Sequence, residues 1–516
     1  MNTHRAAGSI LLALAAAAIA QDRAMVREST AITIYSSGLP GGVPPELYRP
    51  LPANPYSYTP FTTIPGFAVV RHDRPMTLGT GRSHVRFTDV AALLDPTTVR
   101  FESLDDPAGT KVLEQDYRFD LVSPQKLLEA YIGKTVTIER YASNKHEEIT
   151  GTLLSASGGT AILQEAGGTL RTLTGFSGVR YPALPEGLLT RPTLMWEVQS
   201  GKPGLHRTRV SYQTDGITWW ADYNVVFREG SSANAGEVDV GAWVSIVNRS
   251  GASYDDAALK FVAGDVQRLE RGDPRFDALG SNRSRSVPMG GEMGFAQKAF
   301  FEYHLYTLST PVDLPDNSTK QLELFPAARN IPAEKIMVYD GLADTLAHAP
   351  GSPLMDSGIG MGSNTKVDVF LRFRNSKAHG LGIPLPTGRV RVSKADEADG
   401  SLEFIGEDAT DHTPREEWVR IALGQAFDVV GERTRETFEV DNRARWMQEK
   451  ITVKVRNQKD QPVDVVVKER LFRWVNWSIT EASDPHERVD AGTIHFPVRI
   501  EPGEEKIVTY VVRYTW

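Results

Sequence analysis

The chain contains no cysteine in 516 residues. That absence excludes disulfides, thiol nucleophiles, cysteine-bound metals and lipid attachment through a thiol. A large excess of one sign of charge is lacking as well, with 57 Lys and Arg against 65 Asp and Glu. The formal net charge is -8 at pH 7, so there is no basic surplus with which to displace counterions from a nucleic acid. Beyond its first residues the sequence has no apolar run of membrane-spanning length, and no transmembrane helix is expected in the mature chain. The 11 histidines are scattered, without an HExxH helix or a close pair that would point to zinc. Neither a GxSxG elbow nor a phosphate loop occurs. No residue is therefore nominated as catalytic, as a metal ligand or as a cofactor contact, and no cofactor is implied.

What is present begins with a charged start, His4 and Arg5, followed by the apolar run Ala6 to Ala20, "AAGSILLALAAAAIA". Small residues at Ala18 and Ala20 fit signal-peptide cleavage after Ala20. Residues 1–20 are read as a signal peptide and the mature chain as exported, to the periplasm or beyond the cell. At this length more than one domain is expected.

Short alternating runs separated by Gly, Pro, Asp and Asn dominate the rest, which predicts a mainly all-β, multi-domain protein. Residues 21–122 read as an N-terminal β-domain. It starts with the strand "AITIY" (Ala31 to Tyr35), continues through a Pro- and Gly-rich connection to Pro65, and ends in a compact strand set from Phe67 to Leu104. Residues 123–182 read as a small Sm/SH3-like barrel. A short helix capped by Ser123, with Pro124 in its first turn and Gly133 at its end, precedes four or five short strands joined by "GG" turns. Residues 193–516 read as a C-terminal β-sandwich region of immunoglobulin-like pattern, with mobile loops near 271–297 and 341–365.

Within the last region stands "DGITWWADYNVVF", Asp215 to Phe227. Asp215-Gly216 is a good hairpin signal. Period-two alternation then puts Ile217, Trp219, Ala221, Tyr223, Val225 and Phe227 on one face. Trp219 is expected in the core and Trp220 on the polar face, either covered by a neighbouring loop or domain or serving as a contact surface. Trp220 is the one candidate binding residue. "GIGMG", Gly358 to Gly362, lacks the strand-to-helix setting of a nucleotide loop and reads as linker. "DEADG", Asp396 to Gly400, reads as an acidic hairpin turn rather than a calcium loop. The terminal alternation Val508, Tyr510, Val512, Tyr514, Trp516 fits the last strand of a sandwich, with an outer-membrane strand as its rival.

Taken in order, "TDGITWWADYNVVF", "VNRSGASYDDAALKFVAGDV", "KQLELF", "AFDVVGERT" and the terminal strands resemble the mucoidy-inhibitor-A-like secreted proteins, whose C-terminal part is domain of unknown function 4139. The resemblance covers Thr193 to Trp516, and the Phe67 to Leu104 strands look like the small N-terminal domain of the same proteins. Those relatives often carry a helical coiled-coil insert where this chain has the small barrel. The family brings no established activity, so no catalytic residue is carried over. The expectation is an exported, non-enzymatic β-protein acting through an envelope protein or a polysaccharide. Its rival is an envelope hydrolase with unmarked carboxylates.

Overall fold

The computed structural model describes residues 28–35, 64–264, 295–342 and 351–516, apart from 120–121, 143–144, 186–187, 233, 301–302 and 397. Residues 1–20, expected to be a signal peptide, most of the Pro- and Gly-rich connection and residues 271–294 of the first long loop lie outside the described residues. Strand makes up 66% and helix 2% of the structure, which is all-β with several sheets.

Among the described residues the strands form four sheets. In the first, Ser29–Tyr35 lies between Phe67–Leu78, antiparallel, and Tyr254–Ala263, parallel. Gly204–Asp215 pairs on the far side of Phe67–Leu78 and then with Leu94–Ser103. A three-stranded sheet joins Gly81–Thr88, Thr193–Ser200 and Thr110–Arg118. The boundary expected near residue 193 therefore falls inside the N-terminal sheets: Thr193–Ser200 and Gly204–Asp215 are their interior strands. One apolar core, from Ile32 and Val70 through Trp196 and Tyr212 to Trp219, Phe261 and Leu371, runs across these sheets and into the next. Alternation locates a strand but carries no label for its partner, and the partners here lie from 75 residues away (Arg118 to Thr193) to 148 (Phe67 to Asp215).

Residues 123–182 form an insertion between two strands that are direct neighbours, since Thr110–Arg118 pairs with Thr193–Ser200. Ser123 caps the helix Pro124–Ala130, accepting from the Lys126 amide at 3.3 Å. The five strands behind it are ordered Gly178–Arg180, Thr135–Ala142, Lys145–Ser157, Thr160–Gln164, Leu170–Thr174. They enclose their own core of Tyr131, Val136, Ile138, Leu153 and Leu163. The sheet stays open where a barrel was expected. Its last strand is three residues long and is paired to Thr137–Glu139, so no ladder joins the two edges.

The largest sheet has 13 strands. Two of them, Ser318–Asp340 with 23 residues and Trp418–Asp441 with 24, are long enough to leave the first core and enter a second. That second core is built by the C-terminal strands from residues such as Ile451, Val465, Phe496, Val508, Tyr510, Val512 and Tyr514. The terminal aromatic strand thus turns Val508, Tyr510, Val512 and Tyr514 inward, the opposite of what a lipid-facing row requires.

The DGITWW corner differs from its sequence reading. Gly204–Asp215 belongs to the first sheet, whereas Ile217–Glu229 pairs with Ala235–Asn248 and with Gly388–Ala395 in the largest. Asp215-Gly216 is a corner between sheets and not a hairpin turn. Gly216 has φ +83°, and a Cβ there would lie 2.7 Å from the Arg249 carbonyl oxygen, so the corner requires glycine.

One buried group in the first sheet gives the fold a pH dependence. The His72 ring sits between Thr30 Oγ1, 3.1 Å from Nδ1, and the Tyr212 hydroxyl, 3.2 Å from Nε2. Burial lowers its pKa from 6.5 to about 3, with Arg74 adding to the effect against Asp73 and Asp89. The folded pKa lies below the unfolded one, so the unfolded chain takes up the proton first. Stability from this group is complete above pH 6.5 and is lost as pH falls toward 3. The expected slope is roughly 1.4 kcal/mol per pH unit. Denaturation curves of the wild type and His72→Gln between pH 7 and pH 4.5 should diverge by that slope. Parallel profiles would rule out a buried neutral histidine.

Candidate functional site

The sheet branches where Ser318–Asp340 exchanges neighbours. From Ser318 to Glu334 it pairs with Ala235–Asn248, and from Met337 onward with Val463–Arg470. Lys335 and Ile336 fall in the gap. The Lys335 amide donates to the Asn234 carbonyl at 2.7 Å, and the Asn234 side chain donates to the Asp464 carbonyl at 3.3 Å, tying the two partners together across it. A cleft of about 640 Å³ opens over this fork. Ile336, Val338 and Val466 contribute its apolar floor, and Arg372, Arg420, His495 and Arg499 are among its polar walls. The volume suits a ligand of one or two sugar rings, or a side chain cluster of a partner.

The charged wall follows from register. Glu334, Arg372 and Arg420 stand opposite one another across three adjacent strands. On Lys366–Arg374, Val367, Leu371 and Phe373 are buried, which leaves Phe370 and Arg372 on the outer face. Two guanidinium groups stack on aromatic neighbours: Arg420 lies 3.7 Å from the Phe370 ring centroid and Arg372 4.6 Å from that of Trp418. Arg372 also donates to Glu334. Lys335 is paired with Glu229 at 3.7 Å, and Arg499 with Glu501 at 3.2 Å and Asp464 at 3.6 Å. Arg420 meets no carboxylate among the described residues. Partial desolvation of this exposed side chain and the adjacent Arg372 lower its pKa. His495 is lowered too, first by burial and then by Lys468 and Arg420, so the field of Arg420 reaches across the cleft.

Trp220, the residue singled out by sequence, lies elsewhere. It is 9% exposed and packs on Ile64 and Val247. Its Nε1 donates to Asp222 at 2.7 Å, and Asp222 also accepts from Ser245 at 2.7 Å and from Arg389 at 3.2 Å. Gln321 donates to Ser245 at 3.1 Å and extends the network. The arrangement closes the polar face of the strand instead of presenting an indole to solvent. Trp418, by contrast, is 47% exposed beside the cleft. A signal for it existed in the sequence: Phe370, Arg372 and Arg374 alternate on one strand and Trp418 and Arg420 on another, a pattern of aromatic and guanidinium groups on one face.

The glycine run also has a definite place. Residues 351–365 have little regular structure beyond the bridge of Leu342 to Ser363, but buried arginines hold their backbone. Arg473 donates to the carbonyls of Leu354 at 2.8 Å, Asp356 at 2.9 Å and Ile359 at 2.7 Å. Arg433 donates to Gly360 at 3.2 Å, and Arg435 to Ile359 at 3.2 Å and to Ser357. A Cβ at Gly360, where φ is +78°, would strike Phe472 at 2.5 Å. Beneath lie two carboxylates. Glu469 accepts from Arg433 at 3.0 Å and from the Tyr510 hydroxyl at 2.6 Å. Glu449 accepts from Arg435 at 3.4 Å and makes an ion-pair contact of 2.8 Å with Arg473 Nε, whose N–H points away from it. Both carboxylates are buried and fully engaged with arginine, a packing arrangement and not a pair open to substrate. The acidic stretch near Asp396 joins Gly388–Ala395 to Leu402–Thr410, with Asp396 and Asp399 accepting from the amides of Ala398 and Ser401, both at 2.8 Å. That is the hairpin turn its composition predicts. Among the described residues no group of three or more His, Asp or Glu is placed to hold a metal ion. Comparison with family models, curated proteins and solved structures gives no match for this chain.

Proposed function

We propose that the protein is an exported, non-enzymatic β-protein of the cell envelope, related to the mucoidy-inhibitor-A-like secreted proteins, and that it acts by binding. The observation that carries the reading is the face around the strand exchange. There Trp418 stands exposed next to a row of guanidinium groups and an open cleft. Half-exposed aromatic and arginine side chains are the residues most enriched where surfaces make contact. The partner is an envelope protein or a polysaccharide, in keeping with the secretion signal and the lack of a basic surplus. The hydrolase reading draws no support from Glu449 and Glu469, because arginines and the 351–365 backbone enclose them.

The test is a panel of glycans and esters incubated with the purified protein, read both for turnover and for retention. Retention of an envelope polymer or protein without turnover is expected, reduced at least severalfold by Trp418→Ala. Turnover that disappears on a single Asp or Glu substitution would overturn the proposal.

A further inference from the structure

We propose that the cleft at the strand exchange binds an oxyanion, a carboxylate or phosphate group carried by the ligand, and that Arg420 is its principal donor. This deepens the reading of the cleft face as the contact surface and rests on it. The argument is one of charge and geometry. Arg372 and Arg420 stand directly opposite in register, and like charges so placed are destabilising. One carboxylate, Glu334, serves the pair, and it is bonded to Arg372. Arg420 is the remaining cation. Its contact with Phe370 is through the ring face at 3.7 Å, which fixes the guanidinium plane and leaves its N–H edge for an acceptor. A planar fork held in this way matches the two oxygens of a carboxylate or phosphate, which a lysine at the same position would not. His495 and Arg499 line the same cleft, so an anion on Arg420 enters a site with further donors and an apolar floor. None of the acidic residues nearby pairs with Arg420: Asp464 faces Arg499, Asp340 faces Lys468 at 3.1 Å and Arg470 at 3.2 Å, and Glu487 stands opposite His495.

Isothermal titration of the full chain with inorganic phosphate and with glucuronate, and with glucose as the uncharged control, tests the assignment. Saturable binding of at least one anion is expected, weakened at least tenfold in Arg420→Gln and weakened by added salt. Phosphate alone assigns a phosphorylated ligand, and glucuronate alone assigns a carboxylate-bearing one. Phe370→Leu should also weaken binding, by releasing the guanidinium plane, while Arg391→Gln, at an arginine paired with Glu407 at 2.9 Å and Asp222 at 3.6 Å, should leave it unchanged. Arg420 is exposed, so its substitution is compatible with the fold; an unchanged far-ultraviolet spectrum checks this. Failure of the wild-type protein to bind either anion, or equal binding by Arg420→Gln, would overturn the inference. If envelope retention persisted under either result, the contact role would stand and only the anion would be lost.

Discussion

Trp219→Ala is expected to lower stability by roughly 3–5 kcal/mol, the range for truncating a large aromatic in a closed core. Trp219 is 1% exposed and meets Phe261 edge-on at 5.4 Å between centroids, with Tyr306 at 6.4 Å. These neighbours come from separate strands of the first sheet, so they cannot all move in to fill the cavity. Trp220→Ala should cost less, on the order of 1–3 kcal/mol, because it removes a smaller packing contact and one hydrogen bond to a carboxylate. Asp222 keeps Ser245 and Arg389 as donors in that variant. Paired urea denaturation curves decide the matter. Equal losses, or a larger one for Trp220, would mean that the polar face carries the energy assigned to the core.

The arginine cluster under residues 351–365 should be as sensitive. Arg473→Leu removes a cation that is fully buried, takes a donor from three backbone carbonyls, of which Ile359 still has Arg435 and Asp356 the Ile359 amide, and leaves Glu449 to Arg435 alone. Breaking a buried ion pair on one side costs about 3–5 kcal/mol, since the surviving charge is left uncompensated. Arg473→Lys should recover little, because an ammonium cannot reach three carbonyls and a carboxylate in one plane. Combining Arg473→Leu with Glu449→Leu should recover part of the loss by removing the stranded carboxylate. In the single variant, residues 351–365 should also become open to limited proteolysis. A loss below about 1 kcal/mol, or a segment as protease-resistant as in the wild type, would contradict the pinning role.

What could be read from the sequence alone, and what could not, separates along physical lines. Period two is set by bonds between adjacent residues, so alternation by itself placed Ile217, Trp219, Ala221 and Tyr223 on the buried face of a strand. It likewise put Val508, Tyr510, Val512 and Tyr514 together. Capping is equally local, and Ser123 with Pro124 marked the helix. Turn chemistry announced the Asp396 hairpin for the same reason. Pairing obeys no such short-range rule. Asp215-Gly216 has the composition of a hairpin turn, yet the strands on either side belong to different sheets, because the glycine supplies only a backbone angle and not a partner. Trp220 could be read as covered or as a contact residue, and only the packing of Ile64 and Val247 against it, beside Asp222 two residues along its own strand, decides for cover. Arg433, Arg435 and Arg473 read as ordinary strand charges until the 351–365 backbone was laid over them. The cleft itself needs strands beginning at 235, 318, 366, 418, 463 and 493 to meet at one fork. A side chain's face is fixed by its neighbours along the chain, but what lies across that face is fixed by hydrogen bonds and packing between segments the chain keeps far apart.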